Sequence, residues 1–206
     1  MASYANERER AVAWAIRLSA FTIAWNLVFG AAAVVVATTT GSSSLVGFGL
    51  DAVVDAAASV VLVWRFREER VDEQRAQRIE GVALRVVGIS LVSAATYVSV
   101  RSILSLAQHS GPQSSTFGLV LAAASAVVLP FLAGAKIRVA SRLGSKALRA
   151  DGILTAAAGL LAIISLAAAA LDGLGLWWAD PVAALVIAVF LFVEGGRSIL
   201  HPPEGR

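Results

Sequence analysis

Three aspartates inside long apolar stretches are the residues of this 206-residue chain best placed to do chemistry. Asp51 and Asp55 lie in SLVGFGLDAVVDAAASVVLVW, and Asp151 lies in SKALRADGILTAAAG. Their spacing puts Asp51 and Asp55 on one face of a helix, one turn apart. A charged carboxylate at the centre of a bilayer costs about 2.5–3.5 kcal/mol, so such residues usually face a cavity and act there.

Two carboxylates on one helical face repel each other, and a divalent cation or a shared proton relieves that repulsion. A proton-sharing pair that only bonds a neighbouring helix is the structural alternative. The chain has no cysteine, and its two histidines, His109 and His201, lie outside the apolar stretches. Oxygen ligands suit hard or borderline divalent ions. The residues alone therefore indicate a divalent-cation or proton site and do not select the ion.

Asp151 is open to two interpretations that depend on where its helix begins. If the helix begins at Ala150, Asp151 is an interfacial cap. If it begins near Leu143, Asp151 lies about 12 Å further in, at 1.5 Å per residue. The length of the apolar run after Ala150 favours the earlier start, and Thr155 then shares the face of Asp151.

Two further polar residues are auxiliary candidates. Asn26 lies in the first apolar stretch, where its amide would either serve the site or hydrogen-bond a neighbouring helix. Glu80 opens the third stretch as an interfacial charge or an inner-gate residue.

The composition defines the elements that must position these residues. Hydrophobic residues make up 58% of the chain and charged residues 15%, against about 25% charged in soluble domains. This excludes a soluble enzyme and a disordered chain. Since a helical span needs roughly 20 apolar residues, we predict an all-α integral membrane protein. It is a single transmembrane domain over residues 1–206, with spans at about 18–40, 44–64, 81–104, 117–136, 143–166 and 179–200.

Basic residues fix the predicted orientation. They fill the loop between spans 2 and 3 and the loop between spans 4 and 5, where we place Lys136, Arg138, Arg142, Lys146 and Arg149, while the opposite loops carry no Lys or Arg. The positive-inside rule then places both termini in the cytoplasm. Because orientation accounts for the net charge of +3, we expect no nucleic-acid partner. No cleavable signal precedes the first span, and we expect a bacterial inner membrane.

Taken together, these motifs resemble the cation diffusion facilitators. The resemblance rests on the Asp51-x-x-x-Asp55 pair, Asp151 early in span 5, Arg78-Ile79-Glu80 opening span 3, and WWADP before span 6, and it covers residues 18–200. It implies a homodimeric secondary transporter without a bound cofactor. Such a transporter exports Zn²⁺, or a similar ion such as Mn²⁺, Fe²⁺, Co²⁺ or Cd²⁺, from the cytoplasm in exchange for protons.

The resemblance also implies a ligand set. In that family four residues, two each from spans 2 and 5, hold the ion, and Asp51, Asp55 and Asp151 match three of them. The fourth position is Ala147, which cannot ligate, so water, Thr155 or Asn26 would complete the shell.

A second expected departure from the family concerns the cytoplasmic C-terminal domain, which most members carry. We expect a short form without it, whose homodimer is held by transmembrane helices. The two departures motivate an alternative function, a non-transporting membrane subunit or metal sensor. We expect no enzyme, because no span contains a nucleophile–base pair.

Overall fold

The computed structural model is helical throughout the residues it describes, which are 2–40, 43–69, 71–109, 116–170 and 178–200, apart from short turns. The helices are α1 (Ala2–Thr40), α2 (Ser43–Glu69), α3 (Glu73–Ala107), α4 (Thr116–Leu143), α5 (Lys146–Ala170) and α6 (Ala179–Leu200). Each predicted span lies within one of them, apart from the first residues of the fifth. The all-α prediction is confirmed.

The helices have the length and surface of membrane spans. Within the described residues, five of them (α1 and α3 to α6) are long and apolar enough to cross a membrane. α2, with 27 residues, also exceeds the roughly 20 that a crossing needs. Large apolar side chains stand on the outer faces, as Phe131 does at 75% exposed and Val186 at 68%. Such a surface suits lipid, and the chain is an integral membrane protein. That the chain crosses the membrane six times, with both termini in the cytoplasm, stays a prediction.

The helices pack chiefly in three pairs, α1 with α2, α4 with α5, and α3 with α6. Small residues allow each pair to approach closely, as membrane helices commonly do. A Cβ built on Gly30 of α1 would lie 2.7 Å from the Cβ of Ala52 in α2. A Cβ built on Gly195 of α6 would lie 2.9 Å from the carbonyl oxygen of Gly88 in α3. Each pair therefore holds its polar side chains at a fixed register.

Local signals set the start of α5. Gly144 has φ +66° and ends α4 in a left-handed conformation that favours glycine. The Ser145 hydroxyl accepts a hydrogen bond from the backbone N–H of Leu148 at 3.1 Å, which caps the next helix. α5 therefore begins at Lys146, three residues after the start predicted near Leu143 and four before Ala150.

Candidate cation site

The packing of α1 against α2 brings Asn26 into contact with Asp55. The Asn26 Nδ2 donates a hydrogen bond to the Asp55 Oδ2 at 3.4 Å, and both side chains are partly buried. The distance is at the long end for a hydrogen bond, so the contact orients the carboxylate more than it neutralises it. Asp51 lies one turn away in α2, but its side chain is outside the described part of the structure.

Buried hydroxyls continue this polar face of α1 and α2 beyond Asp55. Ser59 follows Asp55 by one turn and is fully buried. The Oγ atoms of Ser59 and of Ser19 in α1 have no hydrogen-bond partner among the described residues. Thr22 is also buried, with its hydroxyl bonded to the carbonyl of Leu18 at 3.0 Å. Because buried polar atoms normally find partners, the two free hydroxyls could bind water or a cation.

α4 and α5 place Asp151 in a buried ion pair. Asp151 is 1% exposed, and the Nζ of Lys136, itself 0% exposed, lies 2.7 Å from its Oδ2. The same Nζ donates to the Thr155 Oγ1 at 3.0 Å, and this hydroxyl donates to the backbone carbonyl of Asp151 at 2.9 Å. Asp151 is therefore a buried residue inside α5, since the cap of that helix is Ser145. The interfacial-cap alternative is excluded.

Lys136 corrects the sequence analysis, which counted it among the basic residues of a cytoplasmic loop. It belongs to α4, where its ammonium group is enclosed between two helices. A sequence signal for this pairing exists: Lys136 precedes Gly144 by eight residues and Asp151 follows it by seven. A tight helical hairpin that turns at Gly144 therefore brings the two to the same level. Sequence reasoning missed this residue because it used basic residues only to orient the spans.

Glu80, the other auxiliary candidate, lies in an ion pair and accepts hydrogen bonds from the start of α5. Its Oε2 lies 2.6 Å from the Nε of buried Arg65. Its Oε1 accepts hydrogen bonds from the Ser145 hydroxyl and from the backbone N–H of Ala147, both at 2.9 Å. The carboxylate thus joins α2 and α3 to the first turn of α5. The predicted fourth-ligand position, Ala147, is fully buried and takes part only through its backbone.

This ion-pair network extends to α1. Arg65 also pairs with Glu69 one turn further along α2, and Glu69 in turn lies 2.9 Å from the Nη2 of Arg8. Arg65 follows Asp55 by ten residues, which is about 15 Å along a helix. Glu80 is therefore separated from the Asp55 and Asn26 contact. The network of which it is part holds the ends of four helices together on the side predicted to face the cytoplasm.

The described residues do not yet form a complete ligand set. Among them, no three acidic, histidine or cysteine side chains come together in a way that could hold a metal ion. Asp55 with Asn26 and Asp151 with Thr155 form two separate settings, on α1–α2 and on α4–α5. The joint site of Asp51, Asp55 and Asp151 stays a prediction.

Comparison with known proteins identifies the family. The family described as the cation efflux transmembrane domain matches residues 19–201. Transmembrane protein 163 of Xenopus laevis is 25% identical to the chain over 188 residues, which are 90% of this chain and 66% of the relative. The chain thus spans just under two thirds of the length of that relative. The predicted resemblance is confirmed, and the chain belongs to the cation efflux family.

Proposed function

We propose that the protein exports a divalent metal cation from the cytoplasm in exchange for protons, by alternating access. Membership of the cation efflux family supports metal-cation transport in general and points away from an enzyme. The observation that carries the finer proposal is the Asp55 carboxylate, held by Asn26 between two membrane helices and followed by free buried hydroxyls. An intramembrane acid with oxygen neighbours suits a cation or a proton.

The proposed cycle uses the same carboxylates for both ions. With the site open to the cytoplasm, deprotonated Asp51 and Asp55 bind the metal, and Asn26 orients the carboxylate of Asp55. Asp151 is the third acid of the proposed set. After the site opens outward, protonation of the carboxylates releases the metal. Because metal and protons compete for the same oxygens, transport in opposite directions follows from linkage.

Oxygen chemistry guides the choice of ion. The sequence has no cysteine, and both histidines lie outside the predicted spans. The ligands are then carboxylate, amide and hydroxyl oxygens, which suit divalent ions from Mn²⁺ to Zn²⁺. We propose Zn²⁺ as the first ion to assay, on the family resemblance, with Mn²⁺, Fe²⁺, Co²⁺ and Cd²⁺ as the alternatives. A transmembrane homodimer and a bacterial inner membrane stay predictions.

Proteoliposomes that contain a pH-sensitive dye test the proposal. A metal gradient across the wild-type protein should drive proton movement in the opposite direction. Asp51→Ala and Asp55→Ala should abolish that movement, because each removes a carboxylate that both ions need. Asp72→Ala, which removes a carboxylate at the exposed start of α3, is the matched control and should transport normally. Unchanged flux in both site variants would show that these acids do not carry the ion.

Two observations support a second candidate, a non-transporting metal-binding subunit or sensor. Ala147 supplies no side-chain ligand, and Lys136 already neutralises Asp151. Metal binding by the wild-type protein without metal-driven proton flux or metal flux would favour this candidate over the transporter.

A further inference from the structure

Lys136 is fully enclosed at the contact between α4 and α5. The helices approach closely there, since a Cβ on Gly152 would lie 2.8 Å from the Ile137 Cγ1 and 3.3 Å from the Lys136 Cβ. The ammonium group meets the Asp151 carboxylate and the Thr155 hydroxyl. A charge so deep in a membrane protein is costly unless it is paired. The ion pair therefore offsets the cost of burying both charges, because each is the partner of the other.

We propose that Lys136 is a tethered cation that pairs with Asp151, and that it thereby sets the affinity of the ion site. An ammonium group has three donors and no lone pair, so it competes with a metal ion for the carboxylate and cannot ligate the metal. The transported ion then meets two carboxylates, Asp51 and Asp55, rather than three. This inference rests on the proposed function.

The charge balance explains what such a residue achieves. Two carboxylates neutralise one divalent ion, whereas a third would leave an excess negative charge that holds the ion more tightly. Tight binding opposes release on the far side of the membrane. Lys136 withdraws the excess charge permanently, because it is built into the chain and cannot diffuse away. The expected result is a site of moderate affinity that favours turnover.

Metal titration of the purified protein tests the inference. The Kd for Zn²⁺ alone, and separately for Mn²⁺ alone, is measured by calorimetry in detergent for wild type, Lys136→Met, Asp151→Asn and the double variant. Lys136→Met frees Asp151 and should bind about tenfold more tightly, the size of effect that one nearby charge has on a carboxylate. Asp151→Asn leaves the lysine without its partner and should bind about tenfold more weakly, for the same reason.

The double variant separates this charge effect from loss of structure. It removes both buried charges together and keeps a foldable interface, so its affinity should lie between those of the single variants. Lys146→Met, on the exposed first turn of α5, is the matched control and should leave Kd unchanged.

The results that overturn the inference are equally definite. If Lys136→Met binds metal no more tightly than Lys146→Met, or if the double variant binds as weakly as Asp151→Asn, Lys136 does not act on the ion. The proposed function fails in a different way, through absence of metal-driven flux in the wild-type protein.

Discussion

Gly195 of α6 provides a sharp test of how α3 and α6 pack, because the next residue is also a glycine. A Cβ at Gly195 would meet the carbonyl oxygen of Gly88 and the Val92 Cγ2 at 2.9 Å, and the Leu91 Cβ at 3.0 Å. A Cβ at Gly196 would meet nothing within 4 Å. Gly195→Ala and Gly196→Ala therefore make the same chemical change in one helix with opposite steric consequences.

The expected difference in stability between the two variants follows from two contributions. Replacing a helical glycine with alanine stabilises the helix by about 0.5–1 kcal/mol, and this term is common to both variants. Only Gly195→Ala forces the backbone of α3 to move, and such overpacking costs about 1–3 kcal/mol. The difference between the variants isolates the overpacking term. At about 2–4 °C per kcal/mol for a chain of this size, Gly195→Ala should unfold about 2–12 °C below Gly196→Ala.

Thermal unfolding of both variants in the same detergent measures this difference directly. Gly196→Ala should be at least as stable as the wild type. Equal melting temperatures for the two variants would refute the close α3–α6 contact, since the shared propensity term cancels and only the steric term remains.

Three further predictions concern stability and use the same assay. Glu80→Ala should lower the free energy of unfolding by about 3–5 kcal/mol, because it leaves Arg65 buried without that partner. Glu68→Ala, which breaks a more exposed ion pair at 3.6 Å, should lower it by at most about 1 kcal/mol. Equal losses would contradict a structural role for the buried network. Asp72→Ala should cost about 1 kcal/mol, since it removes the side chain that caps α3, and no loss would mean that the cap is dispensable. Gly144→Ala should destabilise the α4–α5 turn by about 1 kcal/mol, because alanine disfavours positive φ there, and a variant as stable as wild type would argue against that conformation.

The helices were predictable because the hydropathy of a membrane span is averaged over about twenty residues, so single residues have little effect on it. All six stretches lie in helices, apart from the first residues of the fifth. The start of that helix was less predictable, since it depends on one residue, Gly144, that adopts a positive φ. The cation efflux family was also accessible, because the acids of span 2 and span 5 occur in a distinctive order.

The partners of those acids were harder to predict. Asn26 was recognised as a candidate, and its contact with Asp55 depends on the register of α1 against α2, which composition does not encode. A basic residue near a span end usually lies at the interface, so the sequence alone predicts a loop position for Lys136. Its burial depends on a countercharge that lies fifteen residues away in sequence and becomes a neighbour only after α4 and α5 pack.

The α4–α5 ion pair also bears on biosynthesis. A lysine and an aspartate that enter the bilayer on separate helices each cost about 2.5–3.5 kcal/mol at its centre. With only Gly144 and Ser145 between the helices, α4 and α5 can enter as one hairpin in which the two charges are already matched. The translocation machinery then handles a hairpin in which these two buried charges offset each other. We therefore expect this ion pair to let α4 and α5 insert together rather than one after the other.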